Sequence, residues 1–471
     1  MKQSGYVFRM QLSQFKRERG MIIFYIACLA VIGILVPFFL HNINTSLIMA
    51  AFLTIMFLKP MLSDSLAGER ERKTLESLLS TPINGKSIIW GKAIFYLLFA
   101  VCFFTANILC ILLTNWLSGS GSGLDVWQWM SILVFAICNF STISIVGVYL
   151  SALSGDLRTA NSKVALAAYP FGLLFIVFLS VVFLNDVIIT VITGGIFLLI
   201  YFGVLLVYGV KISKMKQSHY FENVKIKKTG KANERRSTGI VPKSQFAIVF
   251  RHEWKYFLTL KMLLINFAIL CIAPAVFACL FRGEDKLNIA VLITALMMPR
   301  VPTNLIAYSI GGEKVYKTGE SLLSTPLHVR PLFLAKCMVP ILVSGIMLLL
   351  SSVLTLAVTN IPGVFSSGTE TIYRYTAEQL VLLFPVTLMS GISMVLISGI
   401  LSATMKTARQ GLYAASIIGI FFVVPVVAIL YLPQNTLMWS VIYLVALFVC
   451  NVILIKNISD NISRPQLMRR L

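Results

Sequence analysis

The chain has 471 residues, of which 58% are hydrophobic and 12% charged, and its mean hydropathy is +0.87. Soluble domains carry roughly a quarter charged residues, so this composition excludes a soluble enzyme or binding module and defines an integral membrane protein. The formal net charge of +22 raises nucleic acid as a counter-charge, but the placement of the basic residues argues against that partner.

Before residue 21, Phe8, Leu12 and Phe15 share one helical face against Arg9, Gln11, Lys16 and Arg17. This is the pattern of an interfacial helix lying on lipid headgroups. Apolar stretches then follow at 21–40, 46–66, 91–115, 128–153, 163–184 and 187–210. Each reaches the ~20 residues that cross a ~30 Å hydrocarbon core as a helix, and the alternation of barrel strands is absent. The first has no small-residue cleavage site behind it and is expected to be an uncleaved helix.

Residues 211–244 form a basic linker that includes Lys225, Lys227, Lys228 and Lys231. A clearer interfacial pattern follows, with Phe246, Val249, Phe250, Trp254, Phe257 and Leu258 set against Arg251, His252 and Lys255. Six more spans are predicted at 262–281, 287–310, 336–360, 378–402, 411–431 and 437–456. The expected architecture is an all-α polytopic membrane protein with about twelve spans in two homologous six-helix halves, 1–210 and 245–471.

The halves share a heptapeptide. Glu-Ser-Leu-Leu-Ser-Thr-Pro occurs at 76–82 and again at 320–326, and the match extends outward in register. Gly68, Glu69, Lys73, Thr74 and Lys92 correspond to Gly312, Glu313, Lys317, Thr318 and Lys336, while Lys86 corresponds to Arg330. A repeat at fixed spacing marks a duplicated unit.

Basic residues accumulate in loops that stay on the cytoplasmic side. With the amino terminus inside, all but four of the 40 basic residues fall on that side; Arg282, Lys286 and Arg374 are outside and Arg300 lies within a span. Both termini and both motif loops are therefore expected to be cytoplasmic, facing anionic lipid headgroups. The eight cysteines lie in apolar spans, and the four histidines have no Cys or carboxylate partner at ligand spacing, so no metal site is expected.

In the first motif Glu69, Glu71, Thr74 and Glu76 alternate with Arg70, Arg72 and Lys73, and Leu75, Leu78 and Leu79 fall at helical spacing before Pro82. The pattern predicts a short amphipathic helix over about 69–81, and over about 313–325 in the second copy. A helix this short is marginal alone. Its leucine face needs a partner, either lipid or a protein groove that accepts helix anchors.

Two further positions stand out because ionisable residues within spans are rare and tend to be functional. Lys59, followed by Pro60, lies near one end of the second span, and Arg300 sits between Pro299 and Pro302 in the eighth. Both are candidates for lining a pathway for an anionic or carbonyl-bearing substrate. A snorkelling or carbonyl-paired side chain at a helix break is the alternative.

A phosphate-binding loop of the Walker type is missing. Gly85-Lys86-Ser87 matches its end, but Ser80 stands where its first glycine is required. No other catalytic constellation is visible, so the chain is not expected to be an enzyme.

The segment from Gly68 to Pro82 resembles the cytoplasmic loop of type-2 ABC transporter permeases of the exporter class, in which E-x-E-x-x-T-L-E-x-L-L-x-x-P follows the second span. The interfacial helix ahead of the first span and the six-span units also fit that family. The resemblance implies a fused, full-length permease in a bacterial cell membrane, one chain per transporter, that exports a hydrophobic or amphiphilic peptide, antibiotic or lipid-like molecule. It implies no cofactor on this chain, with ATP and Mg held by two copies of a separate ATP-binding subunit. Those subunits would dock on coupling helices carrying Glu69, Glu71, Thr74, Leu75, Glu76, Leu78 and Leu79 in the first half, and Glu313, Thr318, Glu320, Leu322 and Leu323 in the second. The second copy departs from the pattern, with Val315 in place of the second acidic residue and Gly319 in place of the leucine, which implies weaker docking there. The competing reading is a secondary transporter of the major facilitator type, which shares twelve helices and a basic central loop.

Overall fold

The computed structural model describes residues 2–17, 19–30, 33–34, 37–38, 43–81, 83–119, 123–215, 245–259, 261–280, 286–315, 329–361, 373–405, 408–431 and 435–461. Every regular element among them is helical. Nine of the described helices are long and apolar enough to cross a membrane, or ten if a bent pair counts as one span. The expected span at 21–40 lies partly outside the described residues, as does most of the 211–244 linker. The chain divides into two compact units, 1–238 and 239–471.

The first unit contains α1 (Lys2–Arg17), α2 (Arg19–Ala30), α3 (Ile43–Asp64), α4 (Ala67–Glu71), α5 (Thr74–Leu79), α6 (Gly85–Leu117), α7 (Val126–Ala152), α8 (Leu157–Val182) and α9 (Val187–Ser213). Acidic residues set where the long helices start. Asp156 accepts from Thr159 N at 2.6 Å to cap α8, and Asp125 and Gln128 form a capping box on α7. Between α8 and α9, Asn185 takes a left-handed φ of 58°. Asp186 then accepts from Ile188 N and Ile189 N, satisfying two of the amides that a helix start leaves open.

The centre of this unit is aromatic. Phe104, Phe140 and Phe175, from α6, α7 and α8, are fully buried and meet edge to face at 5.6 to 6.0 Å between ring centroids. Asn139 of α7 donates to Phe171 O of α8 at 2.7 Å and to the Tyr201 hydroxyl of α9 at 2.8 Å. Such polar cross-links join helices where lipid supplies no hydrophobic contrast between them. On the outer side of α9, Ile188, Val191, Leu199 and Phe202 are exposed, a face suited to lipid rather than water.

The second unit contains α10 (Gln245–Thr259), α11 (Lys261–Leu280), α12 (Lys286–Met297), α13 (Arg300–Val315), α14 (Val329–Thr359), α15 (Ala377–Val381), a π turn (Leu382–Val386), α16 (Thr387–Thr404), α17 (Ala408–Tyr431) and α18 (Thr436–Asn461). The segment Phe246–Thr259 meets Leu264–Cys279 at 79°, the sharp turn expected between an interfacial helix and the span it precedes. Ile306, Phe333, Val395, Leu396 and Ile458 form the apolar core, and Ser393 and Asn451 cross-link α16 and α18 at 2.9 Å. Pro385, in the π turn, has no N–H to give.

Of the two interfacial helices, α1 packs on the protein by a face shifted from the expected one, whereas α10 packs by its expected face. Val7 and Gln11 of α1 are buried while Leu12 is 37% exposed. Val7 seats against Gly91 of α6, where an added Cβ would lie 2.8 Å from Val7 Cβ. Val249 of α10, on the expected face with Phe246 and Phe250, packs with Leu332 and Ala335 of α14. Gln11 turns inward because its amide has a polar partner in the motif loop.

Candidate functional site

The motif loop of the first unit runs through α4 and α5. The break between them is at Lys73, whose φ of 57° is left-handed, and Thr74 Oγ1 bridges it by donating to Glu69 O at 3.2 Å. Four successive charged residues, Glu69 to Arg72, each reach a different spanning helix.

Glu69 Oε1 lies 2.7 Å from Nζ of Lys92 on α6, and both side chains are buried. Lys92 is wholly inaccessible to solvent and also donates to Ser65 O. Gln11 of α1 donates to Glu69 Oε1 at 3.4 Å. Arg70 donates through Nη2 to Ala152 O at the end of α7 at 2.9 Å, and through Nη1 to Ser154 O. Glu71 Oε1 accepts from Leu157 N, the first residue of α8, at 2.7 Å. Arg72 Nη1 pairs with Asp64 Oδ1 at the end of α3 at 3.0 Å. Ser151 adds a fifth tie, accepting from Leu66 N and Ala67 N while donating to Ser63 O.

The second unit repeats the hub around Lys336 of α14, which lies 2.7 Å from Glu313 Oε1. It also lies 2.6 Å from Glu253 Oε1 on α10 and donates to Ser309 Oγ at 3.2 Å. The two hubs differ in charge: Glu253 reaches the lysine from the interfacial helix, whereas Gln11 reaches Glu69 in the first unit. Burial raises the Glu313 carboxyl above its ordinary value; Lys336 opposes that shift, Glu253 adds to it and His252 counters it.

Of the residues expected at a docking surface, Leu75 and Leu78 turn inward and are 4% and 7% exposed. The leucine face that the sequence offers to a partner is thus covered by the chain itself. Glu69 is buried and Glu71 is half-buried on its internal bond, whereas Thr74 and Glu76 are exposed and Leu79 is half-buried. In the second copy Glu313 is half-buried on Lys336. Thr318, Glu320, Leu322 and Leu323 lie outside the described residues.

Lys59 of α3 is buried and donates to the Tyr169 hydroxyl of α8 at 3.1 Å. Arg300 is the first residue of α13, and its side chain lies outside the described residues. Among the described residues no group of three His, Cys, Asp or Glu could hold a metal ion.

In the sequence Glu69 matches Glu313 and Lys92 matches Lys336, but the pairing of each acid with its lysine is set only by the fold. The available signal was a matched acid in each loop and a matched lysine at the head of each following span. No known family model matches this chain, and no curated protein matches it.

Proposed function

We propose that this chain is the membrane permease of an ATP-driven exporter, with two six-span repeats and a coupling loop in each. One observation carries the reading: in the first unit the motif loop is hydrogen-bonded or ion-paired to the ends of α3, α6, α7 and α8 together. A loop merely resting on headgroups has no need of such ties. A load applied to α5 would reach four spanning helices through short, directional and largely buried bonds, which is what coupling to an external motor requires.

In this reading the docking surface is the outward side of α5, with Thr74, Glu76 and Leu79, while Glu69, Leu75 and Leu78 brace it from within. Closure of two ATP-binding subunits would push on the two loops and shift the bundles between access states. The permease performs no bond chemistry, and its cargo is hydrophobic or amphiphilic. An ATP-binding protein is expected to be encoded beside the permease, and co-expression of the two should yield a complex that survives purification. Charge reversal of Glu76 and Glu320 together should abolish it, and an undiminished complex in that double variant would refute the docking assignment.

A further inference from the structure

Lys59 and Tyr169 meet deep in the first unit, 7% and 6% exposed. Glu71 bonds the start of α8 at Leu157 N; twelve residues along α8 from that contact Tyr169 faces Lys59, which lies five residues before the end of α3. At 1.5 Å per residue Tyr169 is about 18 Å along α8 from that contact, and Lys59 is about 7.5 Å along α3 from Asp64, inside the second span near its end. The helices approach closely here, because a Cβ added at Gly172 would lie 2.9 Å from Ile55 Cδ1. Both ladders are interrupted at the same place, since Pro60 and Pro170 directly follow the two residues and supply no N–H.

The pair is rich in donors. An ammonium carries three N–H groups and a phenol one O–H, and the observed bond uses a single ammonium proton, with the phenol oxygen as acceptor. The ammonium also lies 5.3 Å from the Tyr169 ring centroid. No carboxylate among the described residues lies within ion-pairing distance of Lys59: Asp64 is held by Arg72 and Glu69 by Lys92. The repeat offset of 244 residues makes neutral Thr303 the equivalent of Lys59 in the second copy, and its hydroxyl donates to Pro299 O. A buried cation without a matching anion is costly unless something negative joins it, and ionisable groups within spans mark pathways.

We infer that Lys59 and Tyr169 form an oxyanion-recognition site on the transport path of the first unit, taking the carboxylate or phosphate head of an amphiphile. The ammonium supplies charge and two N–H donors, and the phenol turns its O–H to a second oxygen. This deepens the exporter reading and rests on it for the word transport, but binding can be tested with no ATPase present.

The probe is dansyl-undecanoate, titrated by fluorescence into the full chain purified in dodecyl maltoside, with its methyl ester as the uncharged control. Lys59→Met should weaken binding of the acid by about tenfold or more, as expected for loss of a charged hydrogen bond. It should leave the ester unchanged and raise the apparent Tm, because a buried charge is replaced by an apolar chain of similar length. Lys59→Arg should retain most of the affinity, and Tyr169→Phe should give an intermediate loss. Dioleoylphosphatidylglycerol titrated into the same micelles distinguishes sources. Displacement of the acid that depends on Lys59 assigns the site to a lipid headgroup, and resistance to displacement assigns it to a cargo carboxylate. Equal binding of acid and ester, or wild-type binding of the acid by a folded Lys59→Met, would overturn the site. Loss of ATPase co-purification with binding intact would overturn the exporter reading and leave the site standing.

Discussion

Lys92 Nζ stands 2.7 Å from Glu69 Oε1 with both side chains buried, and joins the head of α6 to the motif loop. Breaking a buried pair by removing one partner costs about 3 to 5 kcal/mol, because the other charge is left uncompensated. Lys92→Met should therefore lower the apparent unfolding midpoint of the detergent-purified protein sharply. A Lys92→Met, Glu69→Leu double variant should recover most of the loss. If the single variant melts like wild type, the pair is not holding the loop.

The second hub should respond in the opposite sense. There one ammonium faces two carboxylates, Glu253 and Glu313, and burial is the strongest influence raising the Glu313 carboxyl above 4.5. A group whose folded pKa is raised contributes its stability fully below the unfolded value and loses it as pH rises through the folded value. Glu313→Gln, neutral at every pH, should match wild type near pH 4 and gain on it in thermal stability as pH rises through and beyond that window. Glu69→Gln should behave oppositely at neutral pH, because it takes from Lys92 its one carboxylate partner among the described residues. Parallel behaviour of the two variants would show that Glu253 does not alter the charge balance.

Gly68 sits in the elbow between α3 and α5, where an added Cβ would collide with Asp64 Oδ1 and lie 3.2 Å from Arg72 Nη1. Gly68→Ala should displace the Asp64–Arg72 pair and destabilise by about 1 to 3 kcal/mol, the usual range for overpacking. Adding Asp64→Ser should recover part of this by removing the obstructing carboxylate. Thermal melts of the two variants decide it, and an unperturbed Gly68→Ala would mean the elbow has room to move.

The nine or ten spans found among the described residues were legible because each is a run of apolar residues with one requirement, length. The α5 part of the loop was legible as a short helix because Leu75, Leu78 and Leu79 recur at helical spacing, whereas the left-handed Lys73 divides the single helix expected over about 69–81 into α4 and α5. What those leucines face was not: periodicity shows that one side seeks apolar cover and cannot distinguish the chain's own bundle from another protein. The destinations of Arg70 and Glu71 were hidden for another reason. Their partners are main-chain groups of Ala152, Ser154 and Leu157, more than eighty residues away, and a backbone carbonyl or amide carries no side-chain signature. Lys92 was visible as a repeated residue. Its role emerged only with the burial that makes its pairing obligatory.

Within the proposed exporter reading, these internal bonds change why the second motif copy is expected to couple less well. Val315 replaces the second acidic residue and Gly319 the leucine, and both could be taken as lost contacts to an ATP-binding subunit. In the first unit, however, the equivalent Glu71 binds the start of α8 and the equivalent Leu75 is buried in the chain's own packing. By sequence, the second copy therefore lacks the equivalents of two internal braces rather than of partner contacts, and Gly319 lowers helix propensity by about 1 kcal/mol relative to Ala as well. Glu76→Lys should then cost more ATPase retention on affinity purification than Glu320→Lys. In the Glu76→Lys background, Val315→Glu with Gly319→Leu should raise retention by firming the remaining loop. Equal losses from the two reversals, or no gain from the restoring pair, would show that stiffness of the loop does not set docking strength.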